Sequence, residues 1–131
     1  MQTLEEVRAY FRGDRFASDA GCVIEEIGDR FAKCSLRLTD AHRNALGGVM
    51  GGAIFTLADL AFAVASNWQT PGTVAISVDI AYLSAAKGET LFAEARCVKD
   101  GRSTCFYRIA VRDELGTPVA ELSATGFHLK K

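Results

Sequence analysis

Asp59 is the only charged residue between Val49 and Ser66, a run of eighteen residues otherwise built from Ala, Gly, Leu, Phe, Ile, Val, Met, Thr and Ser. On a helix its neighbours would be Phe55, Thr56, Phe62 and Ala63, so no cation stands at i±3 or i±4 to neutralise it. An uncompensated carboxylate in such a helix must be paired across the fold, hydrated in a cleft, or kept for chemistry. An interface acid bonded to a partner strand is the plain structural alternative. Just upstream lie Asn44 and the run Gly47-Gly48-Val49-Met50-Gly51-Gly52. A glycine-rich helix start exposes backbone N–H groups at the positive end of the dipole, which suits an anion or a developing oxyanion. Close packing explains such glycines equally well, and Asn44 taken alone reads as a loop or cap residue.

Spacing adds a geometric constraint. Gly51 and Asp59 are eight residues apart, roughly 12 Å along a helix. One carbonyl cannot touch both within a single chain, so a shared reaction would require two chains related by a two-fold axis.

Positioning these groups requires a scaffold. Thr3 and Glu6 form a capping box, and Leu4, Val7, Tyr10 and Phe11 follow at helical spacing, so an amphipathic helix is expected over residues 1–13. Two strands should flank the turn at Gly28-Asp29-Arg30. The second alternates Ala32, Cys34, Leu36 and Leu38 against Phe31, Lys33, Ser35 and Arg37. The apolar run predicts a central helix over about 49–68. Strands are expected at about 73–84, 90–99, 102–113 and 118–128, separated by turn signals such as Asp100-Gly101 and Gly116-Thr117-Pro118. An antiparallel sheet wrapped around one long helix satisfies this order as an α+β fold. A sheet of this length covers only part of an apolar helix, and a second subunit is the natural remainder.

With 131 residues the chain is read as one domain, residues 1–131. Its 15 basic and 16 acidic residues leave a net charge of -1, which gives no global attraction to nucleic acid or an acidic membrane. A mid-helix acid argues against a membrane span. The amino terminus has no basic start and no apolar signal core, so a cytoplasmic location is expected. Cys22, Cys34, Cys97 and Cys105 lack C-x-x-C spacing and read as buried thiols. With two histidines, His42 and His128, no metal site is expected.

The pattern Asn44-x-x-Gly47-x-x-Met50-Gly51-Gly52-x-x-x-x-Leu57-Ala58-Asp59 resembles the signature of the phenylacetate-degradation (PaaI-like) branch of the hotdog thioesterases, within the 4-hydroxybenzoyl-CoA thioesterase superfamily. The likeness continues through Ser77–Gly88 and Gly101-Arg102-Ser103, and covers roughly residues 20 to 130. It implies a hotdog fold, a dimer or tetramer, and hydrolysis of an acyl-CoA with no cofactor beyond the coenzyme A of the substrate. It places the catalytic carboxylate on Asp59, as nucleophile or as general base for water. The oxyanion amide falls on Gly51, a positioning group on Asn44 and a supporting hydroxyl on Ser77. Met50 and Gly52 adjoin the substrate, and Arg102 and Ser103 stand near the nucleotide end.

One position departs from that pattern. Many relatives carry His where this chain has Met50, which cannot carry a proton, so His42 is the one available substitute. Arg102, Arg108 and Arg112 are expected on one strand face with Lys87 and Lys99 nearby, either to hold phosphates or as a solvated face. Asp79 is a competing acid, and Phe55, Phe62 and Trp68 are candidates for an aromatic or medium-length acyl pocket. The competing functions are a non-catalytic acyl-CoA sensor and a hydratase on the same fold, the latter weakened by Met50.

Overall fold

The computed structural model describes residues 1–129. Helix α1 spans Leu4–Phe11 and begins with the expected capping box: the Thr3 side chain accepts from the Glu6 N–H, and Glu6 reaches back to the cap. It buries Val7 and Phe11. A second short helix, α2 (Arg15–Ala20), was not expected from the sequence; it ends at Gly21, whose φ of 103° is left-handed backbone that favours glycine.

Strands β1 (Cys22–Gly28) and β2 (Phe31–Arg37) form the hairpin around Asp29-Arg30. After a 3-10 turn at Asp40–His42, α3 runs from Gly51 to Asn67. Strands β3 (Thr73–Tyr82), β4 (Thr90–Asp100), β5 (Thr104–Asp113) and β6 (Pro118–His128) complete an antiparallel sheet in the order β1-β2-β4-β5-β6-β3. Two strand boundaries move by two residues from expectation: β3 stops at Tyr82, and β5 starts at Thr104, which leaves Arg102 in the preceding turn.

The core lies between α3 and the concave face of the sheet. Ala32, Cys34 and Leu36 of β2, Leu91, Ala93 and Ala95 of β4, and Ile109 and Val111 of β5 meet Leu57, Ala58, Ala61 and Val64 of α3. Alternation in β2 and β4 places one apolar row inward, and alanines at the helix crossing let the layers approach. Coverage of α3 is incomplete. Gly52, Phe55, Thr56, Asp59, Ala63 and Ser66 recur at helical spacing and remain exposed or half-exposed. The free edge of β3 is likewise open, with Val74, Ile76 and Tyr82 exposed to solvent.

Two turns beside the N-terminal end of α3 are tied by one carboxylate. Buried Asp113 accepts backbone N–H bonds from Lys87, Gly88, Leu115 and Thr117 at 2.8–3.0 Å. Desolvation pushes its pKa up, but those donors outweigh it and hold the carboxyl far below its ordinary range.

Candidate active site

The loop before α3 is built by Asn44. Its Oδ1 accepts from the Leu46 and Gly48 N–H groups at 3.0 and 3.1 Å, and its own N–H donates to the Gly48 carbonyl at 2.8 Å. Gly47 takes φ 88°, the left-handed conformation the turn requires. Arg43 Nη1 adds a bond to the Gly47 carbonyl. The Asn44 oxygen is therefore committed to the loop, and its amide nitrogen donates no bond among the described residues.

Met50 is the N-cap of α3 and makes no side-chain cap bond. Its N–H donates to the His42 carbonyl at 2.8 Å, and its carbonyl accepts from Ala53 and Ile54. The N–H groups of Gly51 and Gly52 are the first two of the helix, which have no intrahelical acceptor. They sit at the positive end of a 17-residue helix and point along its axis, out of its N-terminal end. Gly51 is required by a close approach: a Cβ there would stand 2.9 Å from Tyr82 Oη and 3.1 Å from its ring. The Tyr82 hydroxyl donates to the Gly51 carbonyl at 3.1 Å.

Asp59 lies on the uncovered stripe of α3. Although the apolar run around it suggests burial, in the single chain Asp59 is exposed. It makes no hydrogen bond or ion pair with any described residue. Crowding by the surrounding chain still desolvates it and raises its pKa above the ordinary aspartate value, with the charge of Asp14 as the second cause. Asp14 caps α2 without a side-chain bond. A carboxylate whose pKa is raised is a stronger base than a free aspartate.

The structure disperses several other expected residues. Ser77 pairs with Thr125, while neighbouring Ala124 and Gly126 face the core, so Ser77 stands on the sheet face opposite α3 together with Asp79. The reason is a bulge between Ala75 and Ser77, which inserts Ile76 and reverses the side on which later residues point. Within one chain the Ser77 hydroxyl does not approach Asp59. His42 cannot replace the absent family histidine. It is buried, with Nε2 donating to the Ala20 carbonyl at 2.6 Å and Nδ1 accepting from the Thr39 N–H at 3.0 Å. Phe62 is core, packed edge-on against Tyr107, whereas Trp68, which bonds the Gly28 carbonyl, and Phe55 are both half-buried. Arg102 and Ser103 are exposed in the β4–β5 turn. Arg108 and Arg112 lie on the outer sheet face.

The opposite end of α3 holds a second polar group. His128 Nε2 donates to Asp100 Oδ1 at 2.7 Å, Asp100 Oδ2 accepts from Arg30 Nε at 3.0 Å, and Thr73 Oγ1 meets His128 Nδ1 at 2.8 Å. Cys105 Sγ joins Asp100 and His128 to give three donor atoms within 4.8 Å of one another. The carboxylate and both imidazole nitrogens are already partnered, so the set is closed on itself. All four cysteines are free and lie in strands. Burial raises the thiol pKa of each, that of Cys22 to about 11, so none is a thiolate nucleophile at neutral pH.

Tyr82 and Asp14 escaped the sequence reading. Tyr82 lay within the Ser77–Gly88 likeness but was given no role, and Asp14 belonged to no pattern; only the fold brings one to Gly51 and the other near Asp59.

An antiparallel sheet curled around one long helix, with a glycine-rich entry to that helix and a lone acid two turns on, is the hotdog architecture. The Thioesterase superfamily profile matches residues 46–120, and the chain belongs to that superfamily, the thioester hydrolases. A putative esterase of Archaeoglobus fulgidus is 35% identical over 132 residues, covering 99% of this chain and 86% of that protein. The acyl-coenzyme A thioesterase PaaI of Escherichia coli is 31% identical, with 88% of this chain and 84% of that protein covered. The solved E. coli PaaI structure superposes with a TM-score of 0.88 over 98% of this chain and 97% of that one, at 27% identity. A Streptococcus mutans protein bound to acetyl-CoA superposes with a TM-score of 0.77 at 29% identity, covering 85% and 90% of the two chains.

Proposed function

We propose that this enzyme hydrolyses acyl-CoA esters, aromatic or of medium length, at two equivalent sites formed between two copies of the chain. The observation that carries the reading is Asp59: an unpaired carboxylate on the one uncovered stripe of α3, in a chain whose α3 N-terminus presents free glycine amides. The two groups cannot meet one carbonyl within a chain, since eight residues of helix separate them by roughly 12 Å. Antiparallel pairing of two open β3 edges would bring two α3 helices together, so that Asp59 of each copy faces Gly51 of the other. The exposed Val74 and Ile76 on that edge support such pairing. Further pairing into a tetramer is part of the proposal.

In this reading the Gly51 amide takes the charge that develops on the thioester oxygen, in a site dried by the second copy. Asp59 either attacks the carbonyl carbon or removes a proton from an attacking water, and the thiolate of coenzyme A leaves. Asn44, with its oxygen fixed in the loop, offers its amide N–H to the water or to the thioester. Met50 and Gly52 border the reacting group, and Arg102 and Ser103 receive the nucleotide end from their exposed turn. Ser77 supports the site only from the far side of the sheet, so its removal has a small effect. No metal or redox group is needed for this chemistry. We place the reaction in the cytoplasm, where four free thiols stay reduced.

The test is thiol release from a panel of acyl-CoA esters by wild type and Asp59→Ala, with sedimentation of both. Hydrolysis by wild-type dimers and its loss in the variant are expected. Binding without hydrolysis by wild type would instead mark a sensor, and activity in a monomer would sink the shared site.

A further inference from the structure

Beside the first turn of α3 lies an apolar cavity of 420 Å³, bounded by Val49, Gly51, Ile54, Tyr82, Leu83 and Val119. Its size falls within the range that receives small ligands. Val119 is buried at its floor, whereas Tyr82 and Leu83 are about half-exposed at its mouth. The Tyr82 side chain is held in that wall by a bond from Oη to the Gly51 carbonyl at 3.1 Å. The bond and the missing Cβ of Gly51 seat the ring flat against the helix start, where any added methyl would strike it. The wall of the cavity and the amide offered to the reacting carbonyl are thus two sides of one residue contact.

We infer that Tyr82 is a specificity-determining residue: its ring closes the cavity beside Gly51 and sets the length of acyl group that fits there. This rests on the thioesterase reading, since it takes Gly51 as the point where the carbonyl sits. An acyl chain leaving that carbonyl enters the cavity along Val49 and Ile54 and stops against the tyrosine. The chemistry of the occupant follows from the lining, which holds no charged side chain: a saturated or aromatic hydrocarbon rather than a polar acyl group.

The experiment ranks saturated acyl-CoA esters of increasing length by kcat/KM, alongside the Kd of the matching non-hydrolysable thioethers. Tyr82→Ala should move the ranking toward longer chains, with the longest esters gaining at least about tenfold relative to the wild-type optimum. Leu83→Trp, which fills the same cavity from its mouth, should move it toward shorter chains. Tyr82→Phe keeps the ring and should keep the ranking. An unchanged ranking in either of the first two variants overturns the inference, and Leu83→Trp decides alone if Tyr82→Ala does not fold. Wild type that binds thioethers but hydrolyses no ester defeats the hydrolase reading while the Kd series still tests the cavity. Absence of binding to any thioether defeats both.

Discussion

The two ends of α3 are made of similar material and are used in opposite ways. At the C-terminal end, Asn67 accepts from the Gly72 and Thr73 N–H groups and donates to the Ala63 and Thr73 carbonyls. Beside it Thr73, His128, Asp100 and Arg30 partner one another in sequence. At the N-terminal end the Asn44 oxygen is spent on its loop, but among the described residues the amides of Gly51 and Gly52 and the carboxylate of Asp59 have no partners. Polar groups that satisfy each other stabilise a fold; polar groups held in place but unsatisfied are available to a ligand. In the proposed reading, the charged and aromatic richness of the C-terminal end is therefore a poor guide to the active site, and the sparse glycine end a better one.

Substitutions can break this contrast. Asp59→Asn should lower kcat by about three orders of magnitude with little change in melting temperature, the scale expected for loss of a positioned base. Initial rates beside thermal melts check this. Gly51→Ala should lower kcat about a hundredfold, because the new methyl collides with Tyr82 and turns the first amide of the helix. At the other end the pattern should invert: Asn67→Ala should leave kcat near wild type and cost about 1–3 kcal/mol of stability by stranding the Gly72 and Thr73 N–H groups, as read by urea unfolding.

The pH profile sharpens the comparison with a smaller effect. Asp59 must be ionised to act, and desolvation and Asp14 raise its pKa, so activity should fall on acidification at a pH above that of an ordinary aspartate. Asp14→Asn removes a like charge, favours the ionised form, and should shift that acid limb slightly toward lower pH, as read by the pH dependence of kcat. Stability follows a different group. The depressed pKa of Asp113 gives a contribution that is complete above the unfolded value near 4 and is lost as pH falls toward the folded one. Asp113→Asn should therefore lower the melting temperature at pH 7 and flatten its fall in acid.

Most of the scaffold was legible in the sequence because it is carried by long, regular signals. The apolar run gave α3 to within two residues at its start and one at its end, and the alternation in β2 gave its buried row. Residues with short or conditional signals were less readable. Helix α2 has six residues, no side-chain cap bond and an 80% exposed Phe16, so neither periodicity nor capping marks it. The face on which Ser77 stands was not legible, because alternation along β3 breaks at Ile76 and nothing local announces the extra residue. The exposure of Asp59 was hidden for another reason. A helix apolar on nearly every face reads as fully covered, whereas in one chain the cover stops at Phe55, Asp59 and Ala63.

The extra residue in β3 carries one more consequence. A bent strand offers a poor template to a straight one, since its open amides and carbonyls fall out of step on either side of the kink. A foreign extended segment sliding along this border would find only a few rungs in phase before losing them. The same irregularity that set Ser77 apart thus favours, at this edge, a second copy carrying the matching bend over an indiscriminate fibril-like partner.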